Sequence, residues 1–338
     1  MLPKKLLVTG GAGFIGSNFV RHWLKRHGDA AISVLDKLTY AGSIENLAEA
    51  ADDPRCNFVE GDICDREAVD GLMAKTDAVV HFAAETHVDR SILAAGDFIR
   101  TDVFGTFVLL ESAREHRVDA FVHVSTDEVY GEVLEGSSKE TSPLMPRNPY
   151  AASKSGGDRM AYAYFATHGV PTIITRGANT YGPYQYPEKL VPFFVTRAVR
   201  DEPLPLYGDG RQVRDWLHVR DHCRAIELLL ERGEPGEVYN VAADNERRNI
   251  EMAKIILDEL GKPESLLRFV KDRPGHDRRY ALDCSRLHSL GWRPEADFDT
   301  EIRTTVRWYA EHGDWCERAL ARSKAYFEQQ YEERQWEE

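Results

Sequence analysis

Nowhere in its 338 residues does the chain sustain the roughly 20 apolar positions a helix needs to cross a bilayer, so membrane insertion by a helix is excluded. The apolar core and cleavage site of a signal peptide are missing too: Met1-Leu2-Pro3-Lys4-Lys5 runs straight into the strand-like Leu6-Leu7-Val8. Residence in the cytoplasm is the expectation. Cysteine is sparse, with Cys56, Cys64, Cys223, Cys284 and Cys316 scattered and no Cys-x-x-Cys pair, which fits free thiols in a reducing compartment. No metal site is expected. Positive charge is also short: 43 Lys and Arg against 56 Asp and Glu leave a net charge of −13, the wrong sign for a nucleic-acid partner, whose phosphates are bound by cations. A small anionic ligand stays open where basic residues converge locally. Internal repeats and low-complexity tracts are absent.

What is present is a chain with 42% hydrophobic and 29% charged residues, typical of a globular protein and long for a single core. Short apolar runs at Leu6 to Thr9, Ile32 to Asp36, Phe58 to Gly61, Ala78 to Ala84, Phe121 to Ser125 and Thr172 to Arg176 alternate with helix-like segments. That βαβ rhythm predicts an α/β, Rossmann-type doubly wound parallel sheet. Beyond Tyr181 the prolines Pro183, Pro187, Pro192, Pro203 and Pro205 break the chain into loops before a helical stretch from Val219 to Glu231. We expect residues 1–181 to form the nucleotide-binding domain, with part of 215–245, including the strand-like Val238 to Val241, rejoining it. Residues 182–338 are expected to form a smaller, ligand-covering lobe with C-terminal helices. In the charged tail from Ala319, Leu320, Ser323, Phe327 and Tyr331 share one helical face, which predicts an amphipathic helix lying on the body.

Gly10-Gly11-Ala12-Gly13-Phe14-Ile15-Gly16 follows the first strand directly and opens a helix. Glycines there let the backbone approach a pyrophosphate, whose charge then meets the helix amino terminus. Asp36 ends the second strand, where a carboxylate accepts hydrogen bonds from ribose hydroxyls and repels a 2′-phosphate, so NAD is the expected cofactor rather than NADP. At the end of the third strand Asp62 either meets the adenine edge or caps the following helix.

A second group of residues carries chemistry. Ser125-Thr126-Asp127-Glu128-Val129-Tyr130-Gly131 falls at the carboxyl end of the strand Phe121 to Val124, where open parallel sheets bind ligands. Tyr150 and Lys154 follow at one helical turn of spacing. Together they supply an acid, a base and a redox base.

The Gly-x-x-Gly-x-x-Gly spacing with Tyr150-x-x-x-Lys154 resembles the extended short-chain dehydrogenase/reductase family. Asp36-Lys37-Leu38-Thr39-Tyr40-Ala41-Gly42, Ala83 to Ser91, the Thr126-Asp127-Glu128 triplet, Tyr181 to Leu190 and Asp272 to Asp277 narrow the resemblance to its nucleotide-sugar 4,6-dehydratases. It runs from Leu6 to about Trp315. By position it implies a cofactor shell of Gly10, Gly13, Phe14, Ile15, Gly16, Asp36, Lys37, Leu38, Thr39, Asp62, Ile63, Phe82, Ala83, Ala84, Thr86, Thr101, Tyr150, Lys154 and Thr180. It implies a substrate shell of Thr86, Thr126, Asn179, Lys189, Leu190, Pro205, Leu206, Tyr207, Arg214, Asn249, Asp272, Arg273, Pro274, Gly275 and His276. Lys189, Arg214 and Arg273 would supply positive charge for a diphosphate. The chain departs from the family's usual residues at Phe82, Asp102 and Thr180.

The implied reaction makes a 4-keto-6-deoxy sugar nucleotide for deoxysugar biosynthesis, with dTDP-glucose the expected substrate and UDP-glucose the alternative. Tyr150 is expected to take the C4 hydroxyl proton during oxidation, its phenol brought down from about 10 by the Lys154 ammonium and the nicotinamide cation. Glu128 is expected to remove the C5 proton, Asp127 to protonate the departing C6 hydroxyl, and Thr126 to hydrogen-bond the C4 oxygen. Asp127 must then be protonated at neutral pH, as a member of a coupled pair. Two rivals share parts of this pattern. A nucleotide-sugar 4-epimerase has no use for Asp127 and Glu128, and a non-enzymatic NAD-binding sensor has no use for Tyr150 and Lys154. A homodimer is implied, formed through the helix starting at Tyr150 and the helix after Thr101.

Overall fold

The computed structural model describes residues 2–322. In its first half β1 (Lys5–Thr9), β2 (Ala31–Asp36), β3 (Cys56–Glu60), β4 (Ala78–His81), β5 (Ala120–Thr126) and β6 (Thr172–Gly177) alternate with helices. Shorter strands follow: β7 (Asn179–Tyr181), β8 (Leu204–Tyr207), β9 (Val213–His218), β10 (Val238–Val241), β11 (Glu246–Arg248) and β12 (Leu267–Val270). Seven of them form one parallel sheet in the order β10-β6-β5-β4-β1-β2-β3. The order reverses between β1 and β4, and a crevice opens at the carboxyl ends of the strands at such a point.

Helices cover both faces of the sheet, so the central strands are buried along nearly their whole length. The two-residue period still sorts their side chains. Leu6, Val8, Val34 and Val80 pack on one face against Phe19 and Trp23 of the helix Phe14–Arg26 and Ile226 and Leu229 of the helix Val219–Arg232. Leu7, Leu35 and Val79 pack on the other against Val69, Leu109 and Tyr164. The expected strand from Ala78 to Ala84 stops at His81. Its neighbour β1 ends at Thr9, whose carbonyl takes a last ladder bond from the Phe82 N–H at 3.0 Å, and beyond that the backbone donors turn to side chains, Ala83 to the Thr9 hydroxyl at 3.4 Å and Glu85 to Asp102 at 2.9 Å.

The second half forms a three-stranded sheet, β11-β9-β7, and a two-stranded one, β12-β8. A separate core joins Tyr181, Phe194, Leu206, Trp216, Ile256, Val306 and Tyr309 there. β10 pairs in parallel with β6 and so returns the chain to the edge of the main sheet. The helix Gly313–Ala321 is the last one described; Ser323, Phe327 and Tyr331 of the expected amphipathic helix lie outside the described residues. Among the described residues no helix is long and apolar enough to cross a membrane.

Candidate active site

The chain leaves β1 at Gly10 with φ +70°, and a Cβ there would lie 2.5 Å from the Ala83 nitrogen. Only glycine meets both conditions. Gly13 caps the helix Phe14–Arg26 without any side chain over its first turn, so backbone donors face the crevice. Asp36 is fixed at the rim by the Ala12 and Leu38 N–H groups, each at 2.9 Å, while burial pushes its carboxyl up from the usual value. The ammonium of Lys37 pairs with Asp62 at 2.7 Å. The following helix is capped by Asp65, which leaves Asp62 at the crevice wall. A narrow glycine cradle beside an anchored carboxylate fits a dinucleotide carrying free ribose hydroxyls.

One cleft runs from this cradle to the end of β5. Gly10, Gly13, Phe14, Ile15, Gly16, Asp36, Lys37, Thr39, Asp62, Ile63, Phe82, Ala83, Ala84, Thr86, Thr101, Thr126, Asp127, Glu128, Tyr150, Lys154, Asn179, Thr180 and Lys189 all line it. Leu38 does not. Its backbone is left-handed, with φ +53°, and its side chain packs against the core formed around Leu6 and Val34.

At the end of β5 Thr126 caps the short helical turn Asp127–Tyr130. Its hydroxyl oxygen accepts the Glu128 N–H at 3.3 Å, and its O–H donates to Asp127 Oδ1 at 3.0 Å. Asp127 is 3% exposed, and its Oδ2 has no hydrogen-bond partner. Burial first, and the neighbouring Glu128 next, push its carboxyl up to about 7. Glu128 is half-buried, and its Oε2 is approached by the Asn148 amide at 3.3 Å and the Tyr280 hydroxyl at 3.4 Å. Asn148 also caps the helix Pro149–His168, which places Tyr150 in the first turn and Lys154 one turn on. The Lys154 ammonium donates to the Val124 carbonyl at 2.8 Å.

The expected depression of the Tyr150 phenol is not a property of the protein alone. Burial, then Glu128, Asp102 and Asp127, push it well above its ordinary value, against the pull of the Thr126 hydroxyl. A cationic nicotinamide beside the ring would pull it back down.

Beyond Glu128, Lys189 lines the cleft and two arginines stand past its lining. Lys189 donates to the Thr86 hydroxyl at 3.3 Å; burial pushes its ammonium down, while Glu188 and Glu128 resist. Arg273 reaches Asp89 at 3.4 Å, and Glu128 lies within its field. Arg214 stacks over the Tyr280 ring at 4.2 Å and donates to the Asp277 carbonyl at 3.0 Å. Tyr207 donates to Asp89 at 2.9 Å, and its ring meets the edge of His276 at 5.8 Å. Asp272 holds His276 at 2.6 Å and Gln212 at 2.9 Å.

Leu190, Pro205, Leu206, Tyr207, Arg214, Asn249, Asp272, Arg273, Pro274, Gly275 and His276 stand outside the cleft lining. Leu206 turns into the second core because strand β8 alternates its faces, and Leu190 packs against that core at the start of the helix Leu190–Val199. Asn249 opens the helix Asn249–Glu259, its N–H bound to the Gln212 carbonyl. Pro274 and Gly275 are exposed in the loop carrying Arg273.

Several lining or supporting residues escaped sequence reading: Gln185, His222, Asn148 and Tyr280. The pair Asn148-Pro149 is a legible helix start. Tyr280 carries no local signal.

A family model described as GDP-mannose 4,6 dehydratase matches residues 7–305. The curated dTDP-glucose 4,6-dehydratase of Actinoplanes sp. is 52% identical over 319 residues, covering 92% of this chain and 99% of that one. The crystal structure of DesIV, a dTDP-glucose 4,6-dehydratase from Streptomyces venezuelae with NAD bound, superposes with a TM-score of 0.91 at 51% identity, covering 93% and 99% of the two chains. A UDP-glucose 4-epimerase of Thermus thermophilus in complex with NAD shares the fold at a TM-score of 0.84 and 33% identity, over 91% and 99%.

Proposed function

The chain belongs to the GDP-mannose 4,6-dehydratase family, and we infer that within it the chain catalyses the NAD-retaining conversion of dTDP-glucose to dTDP-4-keto-6-deoxyglucose. The observation that carries this reading is the pair Asp127 and Glu128 in unlike surroundings beside Tyr150. NAD, when bound, takes hydride from C4 and returns it to C6 of the same sugar, which makes the C5 proton acidic in between. Tyr150 takes the C4 hydroxyl proton, and Lys154 supplies positive charge behind it. Thr126 hydrogen-bonds the C4 oxygen as charge builds there. Glu128 removes the C5 proton, and Asp127, whose carboxyl sits near 7, protonates the departing C6 hydroxyl. Lys189, Arg214 and Arg273 hold the diphosphate.

Turnover of dTDP-glucose, UDP-glucose and other nucleotide-glucoses tests the reading. A product absorbing as a 4-ketosugar in alkali, formed fastest from dTDP-glucose and without net consumption of NAD, is expected. Interconversion of glucose and galactose nucleotides in its place would make the protein an epimerase.

Residues 1–181 with β10 serve the dinucleotide, and the remainder serves the sugar nucleotide. Two copies pair through the helices Thr106–His116 and Pro149–His168. Supporting that reading, Ile99, Phe104, Phe107 and Tyr162 are large and exposed on this side, at 59%, 46%, 37% and 45%. All five cysteines are free, which supports work in a reducing cytoplasm.

A further inference from the structure

Behind the cleft wall lies a second buried carboxylate. Asp102 is 2% exposed and sits in a π-helical turn, Ile99–Gly105. Both of its oxygens are engaged. Oδ1 accepts the Glu85 N–H at 2.9 Å, and Oδ2 accepts the Ser153 hydroxyl at 2.6 Å. Glu85 belongs to the cleft wall, and Ser153 precedes Lys154 on the catalytic helix. The carboxylate therefore ties these two parts of the site together.

It also bears on charge. Lys154 is 5% exposed, and its hydrogen bond to the Val124 carbonyl brings no neutralising charge. Burial works against its ammonium, and Asp102 and Asp158 hold it up. Asp158, however, already serves Arg176 and Arg159. Asp102 is the carboxylate less committed to other cations.

Resting on the function inferred above, we propose that Asp102 is a positioning residue: ionised, it keeps Lys154 charged and pins the Glu85 loop to the catalytic helix, and protonated, it gives up the first role. Ser153 has a single hydroxyl hydrogen, and two acceptors stand within its reach, Asp102 Oδ2 and the Tyr150 carbonyl at 2.8 Å. With Asp102 ionised the hydrogen goes to the carboxylate. With Asp102 protonated, the acid donates to the Ser153 oxygen and the hydrogen turns to the Tyr150 carbonyl. Lys154, Tyr150 and Asp158 face this group from the helix, Glu85 and beyond it Asp97 from the wall side, and His123 from β5 across Lys154. Burial raises the Asp102 carboxyl to about 7, against Lys154 and Ser153, so both forms occur at working pH.

Asp102→Asn and Ser153→Ala test this in the NAD-loaded protein, by the pH dependence of nucleotide reduction in a single turnover with dTDP-glucose. In the parent the rate should rise through a limb near 7. Asp102→Asn should lose that limb and hold the parent's acid-side rate at every pH, because a neutral amide gives Lys154 no counter-charge. Ser153→Ala should move the limb to higher pH with an unchanged plateau, because the carboxylate loses a hydrogen bond that favours its ionised form. KM for the sugar nucleotide should stay the same in both. Infrared difference titration gives a readout free of turnover: parent minus Asp102→Asn should show a carboxylic-acid band that vanishes near neutrality. An unmoved limb in Ser153→Ala, or no such band, overturns the proposal. A parent that oxidises no nucleotide sugar sinks the inferred function instead, and the infrared titration then decides the state of Asp102 alone.

Discussion

Asp127 and Glu128 are consecutive, yet one carboxylate keeps an oxygen buried without a partner while the other is approached by Asn148 and Tyr280 at 3.3 and 3.4 Å. The two side chains are therefore not equivalent, and burial favours the neutral form of Asp127. Glu128→Gln should still reduce bound NAD with dTDP-glucose but lose exchange of the C5 proton with solvent. Asp127→Asn should keep that exchange and expel the C6 hydroxyl slowly. Each loss should be about 10²–10⁴-fold. Mass analysis of substrate and product recovered from deuterated water checks both, and exchange at the parent's rate in Glu128→Gln would take the base role away from Glu128.

Cofactor choice should depend on Asp36 and not on its neighbour. Asp36→Ser should weaken NAD binding by about tenfold or more, since hydrogen bonds to a charged group contribute about 1.5–3 kcal/mol, and should admit NADP. Lys37→Ala should leave the preference in place, because Lys37 spends its charge on Asp62. Calorimetric titration of both nucleotides against protein stripped of NAD measures this. Equal NADP affinity in the unaltered protein would contradict it.

Acid dependence should appear in stability as well as rate. A carboxyl near 7 in the folded state and about 3.9 unfolded binds more protons when folded, so its contribution is complete below about 4 and is lost as pH rises through 7. For Asp127 the loss is on the order of 4 kcal/mol, three pKa units at about 1.4 each. Asp127→Asn should flatten part of the fall in stability over that window and raise stability above it. Denaturant unfolding at a series of pH values tests the sign.

The buried pair Arg176 and Asp158, 1% and 0% exposed in their side chains, is bidentate at 2.8 and 3.0 Å. Asp158→Ala leaves a guanidinium uncompensated beneath the catalytic helix and should cost about 3–5 kcal/mol. Thermal unfolding of variant and parent gives the difference. A loss under about 1 kcal/mol would mean that water or Tyr130, which accepts from Arg176 at 2.7 Å, replaces the partner.

What the sequence makes legible is local in its physics. The glycine turn, Asp36, Thr126 to Glu128 and the Tyr150 and Lys154 spacing each stand within a turn of a strand end or helix start, and pattern alone places such positions. Leu38 shows the limit, for its left-handed backbone is held by Asp36 and is not announced by a leucine. The partners of Glu128 lie 20 and 152 residues away along the chain, at Asn148 and Tyr280. Only tertiary packing brings them in. The inward turn of the Leu206 side chain was legible, because Leu204-Pro205-Leu206-Tyr207 alternates as a strand with one buried face.

The return of β10 to the edge of the main sheet has a consequence for biosynthesis. Until Val241 has left the ribosome, β6 presents an unpaired edge of buried-type residues, Thr172 to Gly177. A nascent chain stalled between the two strands offers that edge to any other growing strand. The long segment between them therefore delays completion of the nucleotide-binding sheet, and a fragment cut after Tyr181 would inherit the exposed edge permanently.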